Sequence, residues 1–183
     1  MDRRTFLVSV PAATLCGAAA TRAATPAAAG GLLDHRGRPF QAARLAGGWT
    51  LLTFGFTQCG STCPTSMMNA GQMLSAWPDA EPPAVVLVTL DPLTDTPAQL
   101  AAYLRRFDPR MLGVTGTHAA IERMSGLFRV GRRRAEGGVL EHSAIWYLLD
   151  PGVRVAATFP HDTPPMQLLR RIVEIRRSGF KAS

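Results

Sequence analysis

Lysine is almost missing from this chain, cysteine is scarce, and no apolar run reads as a membrane span. Lys181 is the single lysine, so nearly all the positive charge behind the net +7 is arginine. That preference reads as genomic composition and points to no function. Three cysteines in 183 residues are too few for a disulfide scaffold. Hydrophobic residues make up 46% of the chain, enough for an ordinary core, so neither disulfides nor a metal are needed merely to hold the fold. There is no internal repeat, no second domain and no nucleic-acid-binding motif, which sets nucleic acid aside as a partner.

The first residues do not read as part of a domain. Arg3 and Arg4 precede an apolar run from Phe6 to Ala20, broken by Pro11, and small residues follow. The stretch Arg3-Arg4-Thr5-Phe6-Leu7 is like a twin-arginine export signal. The run falls short of the roughly 20 residues that a spanning helix needs. Residues 1–23 are therefore expected to be an export signal, with an N-terminal anchor as the alternative. Residues 24–30 are expected to be a linker, and 31–183 a single domain. Export places the domain in the periplasm or on a membrane-facing extracytoplasmic side. Cys16 lies in the leader behind the bulky Leu15, where a lipoprotein signal wants a small residue, so it is expected to leave with the leader. The domain then keeps Cys59 and Cys63 only. Two cysteines four apart in an exported chain point to a metal site or a redox pair.

Along the domain, residues 32–40 read as a small β-hairpin turning at Gly37. Trp49 to Phe56 reads as a buried strand. A loop from Gln58 to Pro64 follows, then a helix from Thr65 to Trp77 with Pro64 near its first turn. Ala84 to Leu90 is a second buried strand, stopped by Asp91-Pro92. Thr96 and Pro97 fit the N-cap and first position of a helix ending near Arg106. Met111 to Thr115 is a short strand, and Thr117 caps a helix to about Phe128. Residues 131–138 read as a Gly/Arg loop. Val139 to Leu149 and Val153 to Phe159 flank the turn Asp150-Pro151-Gly152 as a closing hairpin, and Thr163-Pro164 opens a last helix to Arg177. Strands alternating with helices give a three-layer α/β plan.

The chemistry concentrates at Cys59 and Cys63. A strand-to-helix junction sets thiols near the positive end of a helix dipole, which favours thiolates. Thiolates are soft ligands that suit Cu(I). An i, i+4 pair is also within the span a disulfide tolerates. The pair can hold metal or cycle through a disulfide, and spacing alone does not choose. Two inert buried cysteines are the plain alternative, disfavoured by a Gly/Ser/Thr/Pro loop of the kind that carries function.

The stretch Phe54-Gly55-Phe56-Thr57-Gln58-Cys59-Gly60-Ser61-Thr62-Cys63-Pro64 resembles the Sco/SenC proteins of cytochrome oxidase assembly. The resemblance continues through Val88-Thr89-Leu90-Asp91-Pro92 with Asp95-Thr96-Pro97, and through Leu112 to Thr117. It recurs in Glu141-His142-Ser143 leading to Tyr147-Leu148-Leu149-Asp150-Pro151. These blocks run in order across nearly the whole domain. The resemblance implies a thioredoxin-like fold and one copper per chain, as Cu(I) or Cu(II), held by Cys59, Cys63 and His142. It departs from the usual pattern at Gly60 and Ser61, where the family usually has Pro and then an acidic residue, and at Gln58, often His. Gly60 loosens the loop backbone, and the lost acid removes a local negative charge.

His142 matches the family's ligand position and begins a strand at the mouth of the closing hairpin, with Glu141 and Ser143 beside it to orient the ring. The other histidines need no metal to explain them. His35 sits in a hairpin turn and is expected to face solvent, His118 lies at a helix start, and His161 in a loop. A closed zinc site needs four protein ligands and only three can be named. Asp91, Asp95 and Asp150 also match family positions and read first as turn and cap residues, with Asp91 near the site as a second option. Arg129 with Arg132–Arg134, and Arg170, Arg171, Arg176, Arg177 with Lys181, form basic clusters. They read first as solvated faces, with an acidic partner or anionic lipid surface as the alternative.

Two functions follow, and a third ranks behind them. A copper metallochaperone would deliver copper to the binuclear copper centre of a respiratory oxidase, as the resemblance implies. Its partner would be the copper-centre subunit or another copper chaperone, and the protein itself is expected to be a monomer. A thiol–disulfide oxidoreductase would instead use Cys59 and Cys63 as its catalytic pair to reduce the target's cysteines before metallation. A copper-responsive or peroxide-handling protein comes last, because nothing in the sequence singles out one thiol as activated.

Overall fold

The structure is a computed structural model that describes residues 31–60, 62–130, 132–134, 140–142 and 145–178; for 132–134 and 140–142 it describes the backbone. The leader and linker lie outside the described residues. Six strands form one mixed sheet in the order β1-β4-β3-β2-β7-β8. They are β1 (Leu32–Asp34), β2 (Thr50–Gly55), β3 (Ala84–Thr89), β4 (Leu112–Gly116), β7 (Ile145–Leu149) and β8 (Val155–Pro160). A separate two-stranded ribbon joins β5 (Arg132–Arg134) to β6 (Leu140–His142). The helices are α1 (Thr62–Ser75), α2 (Pro97–Leu104), α3 (His118–Leu127) and α4 (Pro165–Ser178).

Continuous apolar runs make the central strands because both faces of the sheet are covered. Successive residues of β2, β3 and β7 enter two different cores. Leu51, Val85, Leu87, Trp146 and Leu148 pack under α1, α2 and α4. Leu52, Phe54, Val86, Val88, Tyr147 and Leu149 pack on the other face with Ile121 and Met124 of α3. The period-two alternation of the strand thus feeds two layers at once, and the expected three-layer α/β plan is what forms. Each of these fully buried aliphatic side chains is worth about 1.5–3 kcal/mol. Ring contacts between Phe54 and Phe128 (5.3 Å) and between Phe128 and Tyr147 (5.1 Å) tie the end of α3 to the sheet.

Several elements differ from expectation. α1 begins at Thr62 rather than Thr65, so Cys63 and Pro64 lie inside its first turn. Proline is tolerated there because the first N–H groups of a helix have no intrahelical partner. The first hairpin turns at Gly37 (φ 75°), as read, but its second arm is a single bridge, Leu33 to Pro39. β1 instead extends the main sheet, antiparallel to β4. A short 3-10 turn at Ala42–Leu45, absent from the sequence reading, seats Leu45 in the core. Within 131–138, expected to be loop, Arg132–Arg134 is strand and pairs with β6. The expected single strand from Val139 to Leu149 is two, β6 and β7. A Gly/Arg segment has weak strand propensity of its own, so pairing with the nearby β6 decides there.

Candidate metal and thiol centre

β2 and β3 are parallel neighbours and end level, Gly55 opposite Thr89. The loops that leave them therefore emerge side by side: residues 56–60 from β2, residues 90–96 from β3. β7 runs antiparallel to β2, so its first residues stand at this same end, and the Thr53 hydroxyl donates to the Ile145 carbonyl (2.9 Å). This end of the sheet brings together the cysteine loop, the Asp91–Pro97 segment and the start of β7.

Cys59 and Cys63 are brought together here as free thiols. The Cys63 backbone N–H, in the first turn of α1, points to the Cys59 sulfur at 3.5 Å. It is one of the N–H groups that a helix start leaves without an intrahelical acceptor. Cys59 is half-buried; Cys63 is 4% exposed and faces Gly55, Thr53, Ser66, Met67 and Leu87. The two thiols are thus unequal, which the sequence alone did not indicate. Burial pushes the Cys63 thiol up to about 12, against the Phe56 backbone N–H that lowers it; the neighbouring Cys59 and Asp95 push it further up. The apo site keeps Cys63 protonated, so a soft cation must displace a proton to bind there. Two soft sulfurs at one helix start fit a Cu(I)-type ion by donor chemistry.

The third expected ligand, His142, closes strand β6, where it pairs with Arg132 and stands three residues before β7. Its side chain lies outside the described residues, as do Ser61, Ser143 and the side chain of Glu141. Among the described residues no group of three or more His, Cys, Asp or Glu gathers as a metal centre.

Of the remaining histidines and acids, His118, His161, Asp91 and Asp150 fall as expected, while His35 and Asp95 do not. His35 is half-buried rather than free in solvent: its Nδ1 accepts the Gly113 N–H (2.9 Å) while its backbone N–H donates to the Gly113 carbonyl (2.8 Å). Burial, with Arg36 close by, lowers its pKa. His118 starts α3 and sits 3.3 Å from Glu122; His161 lies in the turn before α4. Asp150 is the turn residue expected, accepting from the N–H groups of Gly152 and Arg154 (2.9 Å each). Asp91 also makes a turn, its carbonyl accepting the Asp95 N–H (2.9 Å). Asp95 is a correction. Thr96 caps α2 in a capping box with Gln99, while Asp95 is fully buried and bonds to Thr57 and Thr89. The sequence signal for this was available in principle, since Thr57 and Asp95 follow adjacent strands, but it needs the strand order to be read. Of the basic residues, Arg171 pairs with Glu174 (2.6 Å), and Arg176 donates to the Glu81 carbonyl and lies over Trp77. Lys181 lies outside the described residues.

A six-stranded sheet wrapped by four helices, with a cysteine pair where a central strand meets its helix, defines a thioredoxin-like α/β protein. The SCO1/SenC family profile matches residues 21–177, and the chain belongs to that family. The bovine (Bos taurus) mitochondrial protein SCO2 homolog is 38% identical over 128 residues, 66% of this chain and 48% of its own. The chain therefore spans about half the length of that relative. Arabidopsis thaliana ScoI, solved with copper bound, superposes with a TM-score of 0.74 at 26% identity, covering 81% of this chain and 96% of its own. Bradyrhizobium japonicum ScoI, also solved with copper bound, gives 0.70 at 30% identity, covering 80% and 95%.

Proposed function

We propose that this chain is a copper metallochaperone, binding one copper per chain through Cys59, Cys63 and His142. Its target is the binuclear copper centre of a respiratory cytochrome oxidase, reached directly or through another copper chaperone, in the periplasm. The observation that carries this reading is the meeting of two free thiols at the start of α1, with the Cys63 N–H directed at the Cys59 sulfur. The copper-bound relatives of the same fold support the choice of cargo. Delivery proceeds by ligand exchange: target thiolates replace Cys59 and Cys63 in turn, and each released sulfur takes up a proton. Cys59, the more exposed sulfur, is the one an incoming protein thiolate reaches. His142 supplies the nitrogen donor that Cu(II) favours and two sulfurs do not provide.

Thiol–disulfide exchange is the second reading, supported by the same two free thiols. There Cys59 attacks and Cys63 resolves, since a buried protonated thiol is a poor opening nucleophile. Copper titration of the reduced chain under anaerobic conditions separates the two. One copper per wild-type chain, with affinity reduced at least about tenfold in His142→Ala, is the expected result, since a ligand's loss is costly. Negligible copper binding beside ready disulfide exchange would sink the chaperone reading.

A further inference from the structure

Asp95 is fully buried, and its carboxylate is satisfied by neutral donors. It accepts the Thr57 backbone N–H (3.0 Å), the Thr57 hydroxyl, and the Thr89 hydroxyl (2.6 Å). Its backbone is fixed as well, since Thr115 donates to its carbonyl (2.8 Å) and its own N–H donates to Asp91 (2.9 Å). Three strand ends thus meet at one residue, those of β2 and β3 at its carboxylate and that of β4 at its backbone carbonyl. A buried charge that gathers three hydrogen bonds holds its donors firmly, because losing any of them leaves the charge unsatisfied.

What Asp95 holds is the first half of the cysteine loop. Thr57 stands two residues before Cys59. The turn between them is closed by the Cys59 N–H donating to the Phe56 carbonyl (3.2 Å). The Phe56 N–H faces the Cys63 sulfur. Fixing Thr57 therefore fixes Phe56, and Phe56 touches the loop at Cys59 and at Cys63. The other half needs no such aid, because Cys63 belongs to α1 and is packed in the core. Gly60 gives the intervening backbone freedom to open.

We infer that Asp95 is a positioning residue for the thiol pair: through both donors of Thr57 it holds Cys59 against Cys63. This rests on the reading of Cys59 and Cys63 as a working pair, and it applies to metal and disulfide chemistry alike. Its consequence is measurable without copper, as the effective concentration of one thiol toward the other. In glutathione buffer the two protein thiols reduce one glutathione disulfide, giving one protein disulfide and two glutathione thiols. Each attacking sulfur loses its proton to solvent, and each departing glutathione thiolate takes one up.

The test equilibrates the reduced full chain, with Cys16→Ser in every form so that only Cys59 and Cys63 exchange, with glutathione buffers, and follows thermal unfolding of each variant by circular dichroism. Asp95→Asn and Thr57→Val are expected to lower the effective concentration at least about tenfold, within the roughly hundredfold that a misplacement of about 1 Å can cost. Thr57→Ser, which keeps both donors, is expected to stay within about twofold of wild type. Asp34→Asn, another buried carboxylate with no bond to the cysteine loop, is expected to melt lower yet leave the thiol equilibrium unchanged. Should Asp95→Asn fail to fold, the contrast between Thr57→Val and Thr57→Ser decides. The inference is overturned if the Thr57→Val equilibrium equals wild type, if Asp34→Asn moves it equally, or if the wild-type chain forms only mixed disulfides with glutathione. Failure of copper binding leaves these outcomes untouched, so the two readings fail separately.

Discussion

Gly55 and Cys63 share one space: a Cβ on Gly55 would stand 2.7 Å from the Cys63 sulfur and 3.3 Å from a Leu87 methyl. Gly55 is the last residue of β2, and glycine at that point lets the start of α1 settle directly on the sheet. Gly55→Ala is expected to push the Cys63 thiol out of its packed site. The overlap is expected to cost about 1–3 kcal/mol, the usual range for overpacking a core. Urea unfolding gives that cost, and the alkylation rate of Cys63 should rise in the same variant.

The unequal thiols predict unequal reactivity. In the reduced metal-free chain, iodoacetamide at pH 8 should modify Cys59 at least about tenfold faster than Cys63, because only the thiolate reacts and a buried thiol near pKa 12 is almost wholly protonated. Peptide mapping after timed quenching reads both rates. Equal rates would mean that Cys63 is neither buried nor protonated as described.

Acid should weaken the fold from its N-terminal edge. Burial alone would raise the pKa of Asp34. The hydrogen bonds from the Arg38 side chain, from the backbone N–H groups of Arg38 and Arg36, and from Arg44 overcome it and hold the group at about 2. A carboxylate depressed on folding stabilises above its ordinary value of 3.8 and loses that contribution as pH falls from about 4 toward 2. The difference is worth about 1–2 kcal/mol after allowance for the solvent-exposed arginines. His35 acts in the same direction at higher pH: its lowered pKa favours the neutral ring, so stability falls as pH drops below its ordinary 6.5. Unfolding free energies measured between pH 7 and pH 2 should decline in two stages. Asp34→Ala should shrink the lower one, the remainder coming from Asp108 and Asp150, which bonds from Arg110 and Arg154 also hold below the usual carboxylate range.

Much of the fold was legible because apolar runs and caps are local signals. Thr96 with Gln99 and Thr117 mark helix starts by their own hydrogen bonds, and both caps form as read. The cysteine pair was legible because its spacing and its Gly/Ser/Thr/Pro surroundings are printed in one stretch of chain. His35 and Asp95 were misread for the opposite reason. Each looks like a turn residue in its own segment, and each finds its partner far along the chain, Gly113 for one and Thr57 for the other. The β5 strand was missed for a different cause: its partner β6 is close in sequence, but a Gly/Arg segment has little strand propensity of its own to announce the pairing.

The sequence by itself determined the layered plan, the pair of thiols and the motif blocks shared with the family, because periodicity, spacing and residue identity need no neighbours to be read. Only the tertiary structure decided that Cys63 is buried while Cys59 is half-exposed. It also decided that Asp95 grips the loop before Cys59, and that three strand ends meet beside the pair. The physical reason is strand order. Burial and buried hydrogen bonds depend on which strands lie side by side, and that order is not written in any one segment of the chain.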